Sequence, residues 1–163
     1  MTPPQGDVDL LSLVSSARLT EPDDAPESIA HWKQSTAGDE RDVLFMHPPS
    51  RAAFPRVRLT LDARLELSFG VNELVWAEEG DGVEFSVYAA TDRGEERRLY
   101  STYVDPKHQP EDRRWIDAVV MLGSYAGQDV SLILETGPGP AGDRSHDWAG
   151  WSRAMVRRGA PAL

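Results

Sequence analysis

The feature that most restricts the fold is a period-two alternation of apolar residues between frequent turn signals. In the stretch 112–151 (DRRWIDAVVMLGSYAGQDVSLILETGPGPAGDRSHDWAGW), Ile116, Ala118, Val120 and Leu122 share one face, and so do Val130, Leu132 and Leu134. Side chains alternate across a strand, so this spacing predicts strands with one face buried. The pattern recurs upstream. Val57, Leu59 and Leu61 alternate against Arg56, Arg58 and Thr60; Leu65, Leu67, Phe69 and Val71 against Glu66 and Ser68. Val83, Phe85, Val87 and Ala89 leave Glu84, Ser86 and Tyr88 outward. Short runs at Val43–His47 and Arg98–Val104 and a closing segment from Asp147 to Val156 complete about eight strands. Asp81–Gly82, Asp92–Arg93–Gly94 and the Gly/Pro run 137–143 provide reversals. Strands spaced this way, without long helices between them, predict an all-β fold: an antiparallel two-sheet β-sandwich of jelly-roll type.

The domain expected to carry this sandwich is 43–157, followed by a short tail, 158–163. Residues 1–42 form an arm that either packs on the body or trails from it. Within the arm, Val8–Leu19 has the apolar spacing of an amphipathic helix and equally that of a strand entering the sandwich. The Pro- and acid-rich run EPDDAPES is a loop, after which Ile29 and Trp32 tuck the arm against the body.

Composition removes several functions. There is no cysteine, hence no disulfide, thiolate catalyst or cysteine-ligated metal. The 17 basic residues against 27 acidic ones give a net charge of −10, a field that repels phosphate backbones and argues against nucleic acid as a partner. No apolar run approaches the roughly 20 residues of a membrane-spanning helix, so direct membrane insertion is not expected. The opening MTPPQGDVDL lacks the basic start and apolar core of a signal peptide. A complete chain would therefore remain in the cytoplasm, whereas a module of a larger exported or membrane-attached protein would lie outside it.

Apparent catalytic motifs do not withstand physical inspection. Gly137-x-Gly139-x-x-Gly142 has dinucleotide-binding spacing, but Pro138 and Pro140 have no N–H to offer a phosphate and no helical pattern follows. Ser145, His146 and Asp147 are consecutive, so their side chains diverge and cannot line up as a triad. The four histidines have no zinc-ligand spacing, and no carboxylate pair is singled out for glycoside hydrolysis. No enzyme activity is expected.

Several segments resemble a known family. GDGVEFSVYA at 80–89, the run 112–143, DWAGW at 147–151 and the upstream HPPS at 47–50 resemble bacterial galactose-binding-like β-sandwich modules, over roughly residues 43–156. That family is similar to carbohydrate-binding modules and accompanies membrane-embedded glycosyltransferases and other surface-carbohydrate proteins as an extracytoplasmic appendage. The resemblance implies a non-catalytic module with carbohydrate or cell-envelope glycan as the ligand class. A glycosyltransferase or neighbouring domain is the implied protein partner. The alternative is a structural or protein-interaction accessory domain of a larger membrane-associated protein, with no small-molecule ligand.

The site residues come from the alternation itself. With Leu122's face buried, Trp115 points away from the core beside Asp117 and after Arg113 and Arg114. An aromatic plate flanked by charged hydrogen-bonding groups suits a sugar, whose C–H face stacks while its hydroxyls need polar partners. Tyr88 and Tyr103 are expected to join it from other strands. Trp148 and Trp151, three residues apart, face opposite sides, one in the core and one outside. No cofactor is required, but acids in loops suit calcium, and Asp143 with Asp147 is the nearest pair for a structural ion.

Overall fold

A computed structural model describes residues 6–159. Residues 1–5 and 160–163, including most of the expected tail, lie outside the described residues. The described part has twelve strands in chain order: β1 (Val8–Asp9), β2 (Arg18–Thr20), β3 (Ile29–Thr36), β4 (Asp39–Met46), β5 (Ser50–Ala53), β6 (Val57–Arg58), β7 (Arg64–Val71), β8 (Val83–Ala90), β9 (Glu96–Val104), β10 (Ile116–Met121), β11 (Asp129–Gly137) and β12 (Ala149–Arg157). They form two antiparallel sheets. The first runs β10-β7-β12-β4-β3, with β1 also on β12; the second runs β2-β5-β11-β8-β9, with β6 also on β11. Among the described residues no helix is long and apolar enough to cross a membrane.

The alternation finds its partner between the sheets. Leu65, Leu67, Phe69 and Val71 of the first sheet meet Val83, Phe85, Val87, Val130, Leu132 and Leu134 of the second, all buried in one core. Its centre is aromatic: Phe69, Phe85 and Trp151 lie with ring centroids 4.6–5.2 Å apart. Thr136 occupies an apolar position without penalty because its Oγ1 donates to the Met46 carbonyl at 2.9 Å. A bulge between Trp151 and Arg153 shifts the register of β12 on β7, so that Trp151, Ala154 and Val156 all face inward. Trp148 and Trp151 take opposite sides as expected, with Trp151 in the core.

The N-terminal segment enters both sheets. Val8–Leu19 is neither one helix nor one strand: a 3₁₀ turn over Leu10–Ser16 joins β1 to β2. Asp9 starts the turn by accepting the Leu11 N–H, and Leu10 is fully buried. The expected boundary at residue 43 falls inside β4, because β3 pairs with β4 along its whole length, Ile29↔Met46 to Thr36↔Asp39. Leu61, expected on an inward face, is 76% exposed, because β6 ends at Arg58 and the chain turns before β7.

The β3–β4 hairpin does not continue the first sheet in register. It pairs with β12 only at Gly150↔Phe45 and Trp151↔Leu44, then crosses the sheet's outer face. Gln34 Nε2 donates to the Gly70 carbonyl at 3.0 Å, Thr36 Oγ1 to that of Val71 at 3.1 Å, and the Gly38 N–H to Glu73 Oε1 at 3.0 Å. Gly70 and Gly150 allow this close approach: a Cβ on Gly150 would strike Gln34 Oε1, and one on Gly70 would sit 3.3 Å from the Trp115 ring.

Candidate functional site

Five connections gather at one end of the sandwich: 21–28, 47–49, 72–82, 105–115 and 138–148. Hydrogen bonds tie them together. His47 N–H donates to Ser28 O at 2.8 Å, Asn72 N–H to Trp148 O at 2.9 Å and Lys107 Nζ to Val75 O at 2.8 Å, while Arg144 pairs with Asp24. The 72–82 and 138–148 connections approach so closely that a Cβ on Gly80 would lie 2.5 Å from the Ser145 carbonyl oxygen. Gly80 also has φ +124°, a conformation open to glycine alone at acceptable cost.

Beside this end, on the outer face of the first sheet, aromatic side chains form a second cluster. Val43, Phe45 and Trp115 are buried in it, with Trp148 packed against them. Trp32, from the edge strand β3, stacks on Phe45 at 4.2 Å between centroids and 17° between planes. The edge of Trp148 meets Trp32 at 6.1 Å and 85°. Trp32 is nonetheless 43% exposed. It forms one wall of an open depression of about 450 Å³ with His31, Lys33, Asp42 and Val43. Lys33 and Asp42 form an exposed ion pair of 3.4 Å at its margin. The result is a rigidly held aromatic face with a cation, a carboxylate and an imidazole at its border.

A second feature lies within the loops. Asp147 is fully buried, and neither carboxylate oxygen has a hydrogen-bond partner. The carboxylate oxygens of half-buried Asp81 are likewise shut from solvent, beside the backbone amides of Asp81 and Ala141. Burial, reinforced by Asp81, pushes the Asp147 carboxyl up to about 8. Burial and the Asp143 charge likewise raise Asp81. Lys107 is the nearest ammonium, but it is directed at the Val75 and Glu78 carbonyls and not at either acid. Among the described residues no three His, Cys, Asp or Glu side chains converge on one point.

The residues expected from sequence to form one sugar site are dispersed. Trp115 points away from the main core as expected, but it is only 8% exposed and is not a binding plate. The crossing hairpin covers it: Trp115 Nε1 donates to the Asp39 carbonyl at 2.9 Å and the Arg41 guanidinium lies 4.7 Å from its ring. Arg113 and Arg114 are exposed, each donating through Nε to a loop carbonyl, Pro106 and Glu111 respectively. Asp117 is exposed on β10. Tyr88 lies on the outer face of the opposite sheet, under the Arg51 guanidinium. Tyr103 accepts the Gly82 N–H at 2.9 Å, at the loop end. Of the expected calcium pair, Asp147 is fully buried. Asp143 is half-buried, and its Oδ1 accepts the Ser145 N–H at 2.9 Å. Sequence reasoning singled out neither the exposure of Trp32 nor the proximity of Asp81 to Asp147.

No known protein-family profile matches the chain. An uncharacterized protein of Archaeoglobus fulgidus is 41% identical over 124 residues, covering 72% of this chain and 31% of its own length. The chain thus spans about a third of the curated relative it matches. Among solved structures, the CBM51-2 and INT domains of Clostridium perfringens ZmpB in complex with GlcNAc superpose with a TM-score of 0.64 at 15% identity, over 94% of this chain and 32% of that one. The CBM51 of C. perfringens GH95 in complex with methyl-galactose gives 0.53 at 18%, over 93% and 99%. The tandem CBM51 modules of Sp3GH98 from Streptococcus pneumoniae give 0.55 at 16%, over 94% and 47%. The chain has the galactose-binding-like β-sandwich fold of carbohydrate-binding modules.

Proposed function

We propose that this domain is a non-catalytic carbohydrate-recognition module that seats a sugar ring on Trp32. One observation carries the reading: a tryptophan held flat by Phe45 and braced edge-on by Trp148 still presents 43% of its surface to solvent. A free-standing exposed tryptophan would have to be ordered on binding, whereas this one is already fixed. The apolar C–H face of a pyranose stacks on such a ring, and Lys33, Asp42 and His31 supply hydrogen-bonding partners for its hydroxyls. The fold is shared with modules whose solved complexes contain GlcNAc and methyl-galactose, which makes neutral hexoses the first ligands to try. In a longer protein such a module would hold a surface-carbohydrate enzyme, for instance a membrane-embedded glycosyltransferase, to its glycan outside the cytoplasm.

The test is a glycan array probed with the purified domain and with Trp32→Ala. Retention of a defined sugar class that disappears in Trp32→Ala, with an unchanged circular dichroism spectrum, supports the reading. Retention unaffected by the substitution overturns it. The structural or protein-interaction alternative is favoured by edge strand β10, whose Val119 and Met121 are 59% and 67% exposed. A blank array would move the weight to that face.

A further inference from the structure

We propose a second ligand site at the end of the sandwich opposite the five gathered connections, where Arg93, Arg97 and Tyr125 hold an acidic sugar by its oxyanion group. The preference for an anion stands on the arginines; the choice of a sugar as its carrier rests on the glycan reading above.

At this end the turn 91–95 joins β8 to β9, and the connection 122–128 leads from β10 into β11. Between them lies an open depression of about 600 Å³, a size that admits a small ligand. Its walls are fixed by the backbone. The Gly94 N–H donates to the Thr91 carbonyl at 2.9 Å, closing the turn. On the other side, the Gly127 N–H donates to the Leu59 carbonyl and the Leu59 N–H to that of Gln128, each at 2.9 Å. Tyr125 packs against the main core. Arg58 is clamped by Asp129, through Nε at 3.0 Å and Nη2 at 3.2 Å, and by the Gly127 carbonyl.

The charges decide what such a depression takes. The chain carries −10 overall, and nearly all its guanidiniums are engaged internally. Among the described residues every arginine except Arg18, Arg93 and Arg97 is held by a carboxylate or a backbone carbonyl. Arg93 and Arg97 both border this depression, and both are exposed. The acids beside them leave them largely uncompensated: Asp92 pairs with Arg56 and Asp129 with Arg58, so that Glu95 alone opposes two guanidiniums. An anion bound here breaks no internal ion pair. The planar guanidinium fork offers two N–H donors to a carboxylate or a phosphate. Tyr125 presents a half-buried ring to the C–H face of the sugar, and Thr91 and Gln128 supply partners for its hydroxyls.

The experiment records ¹H–¹⁵N spectra of the full chain during separate titrations with glucuronate and glucose 6-phosphate, with glucose and acetate as controls. Saturable shifts of the Gly94 and Gly127 amides are expected with at least one of the two acids, weakening as salt is raised. A response to glucuronate alone identifies a sugar carboxylate as the ligand, one to glucose 6-phosphate alone a sugar phosphate. Glucose should produce no such shifts, and acetate should bind at least about tenfold more weakly. Arg93→Ala and Arg97→Ala should each lower the affinity by about tenfold, with the rest of the spectrum unchanged. No saturable shift with either acid overturns the proposal, as does an equal response to acetate or glucose, or one that survives both substitutions. Shifts confined to the Trp32 indole would overturn this site and leave the glycan reading standing. The acid response at Gly94 and Gly127 together with a blank glycan array would do the reverse.

Discussion

Gly150→Ala tests the packing that creates the aromatic face. The added Cβ would collide with Gln34 Oε1 and come within 3.0 Å of the Val43 Cβ and Cγ2. Gln34 cannot simply swing aside: it is 2% exposed, and its Nε2 is held by Thr36 Oγ1 at 3.1 Å and the Gly70 carbonyl at 3.0 Å. Overpacking a tight interior costs about 1–3 kcal/mol, and stranding a buried amide adds roughly 1–3 kcal/mol. A total of about 2–6 kcal/mol lowers the Tm of a domain this size by roughly 4–24 °C. The assay is thermal unfolding of Gly150→Ala, Gln34→Ala and the double variant. Once Gln34 is shortened, the alanine Cβ meets only Val43, so the second substitution should cost less than about 1.5 kcal/mol. The cycle should then show a coupling of more than about 0.5 kcal/mol. Costs that add within about 0.5 kcal/mol, the behaviour of sites that do not touch, would refute the idea that Gln34 locks the hairpin over Gly150.

Three further substitutions separate packing from recognition. Trp115→Ala removes a buried ring and its bond to the Asp39 carbonyl, and should cost about 3–5 kcal/mol in denaturant unfolding; sugar retention per folded molecule should change little. Trp151→Phe should cost only about 1 kcal/mol, since the buried Trp151 Nε1 has no acceptor and its removal relieves an unpaired donor. Glu73 is held below the ordinary carboxylate range by the Gly38 N–H and the Ser35 hydroxyl. Its contribution is present at neutral pH and lost as the pH falls through the lowered folded value. Gly38 amide protection should therefore vanish on acidification, and at neutral pH in Glu73→Ala, while the core strands stay protected.

Much of the fold was legible because it depends on local pattern. The alternations at 65–71, 83–89, 116–122 and 130–134 are those of β7, β8, β10 and β11, since each turns one apolar face to the core. Edge strand β3 was not legible: His31, Trp32 and Lys33 are all exposed, which breaks the period of two, and its turn uses Ala37–Gly38 with positive φ where Asn-Gly would announce a hairpin. The same omission left the cover over Trp115 unseen. Trp115 was correctly turned away from the core, but only the crossing of β3 and β4 over β7 decides that Trp115 is covered and Trp32 is open. Asp81 and Asp147 are distant in sequence and are joined only by loop packing around Gly80. The opposite orientations of Trp148 and Trp151 were readable because the bulge comes after both.

The most direct test of the account is a ¹H–¹⁵N spectrum of the five tryptophan indoles during titration with the sugar that the array retains. Specific, saturable shifts of Trp32 and its edge-on neighbour Trp148, with Trp115 and Trp151 unmoved, are the predicted result. Shifts centred on Trp115, or sugar binding that leaves the Trp32 resonance in place, would contradict it.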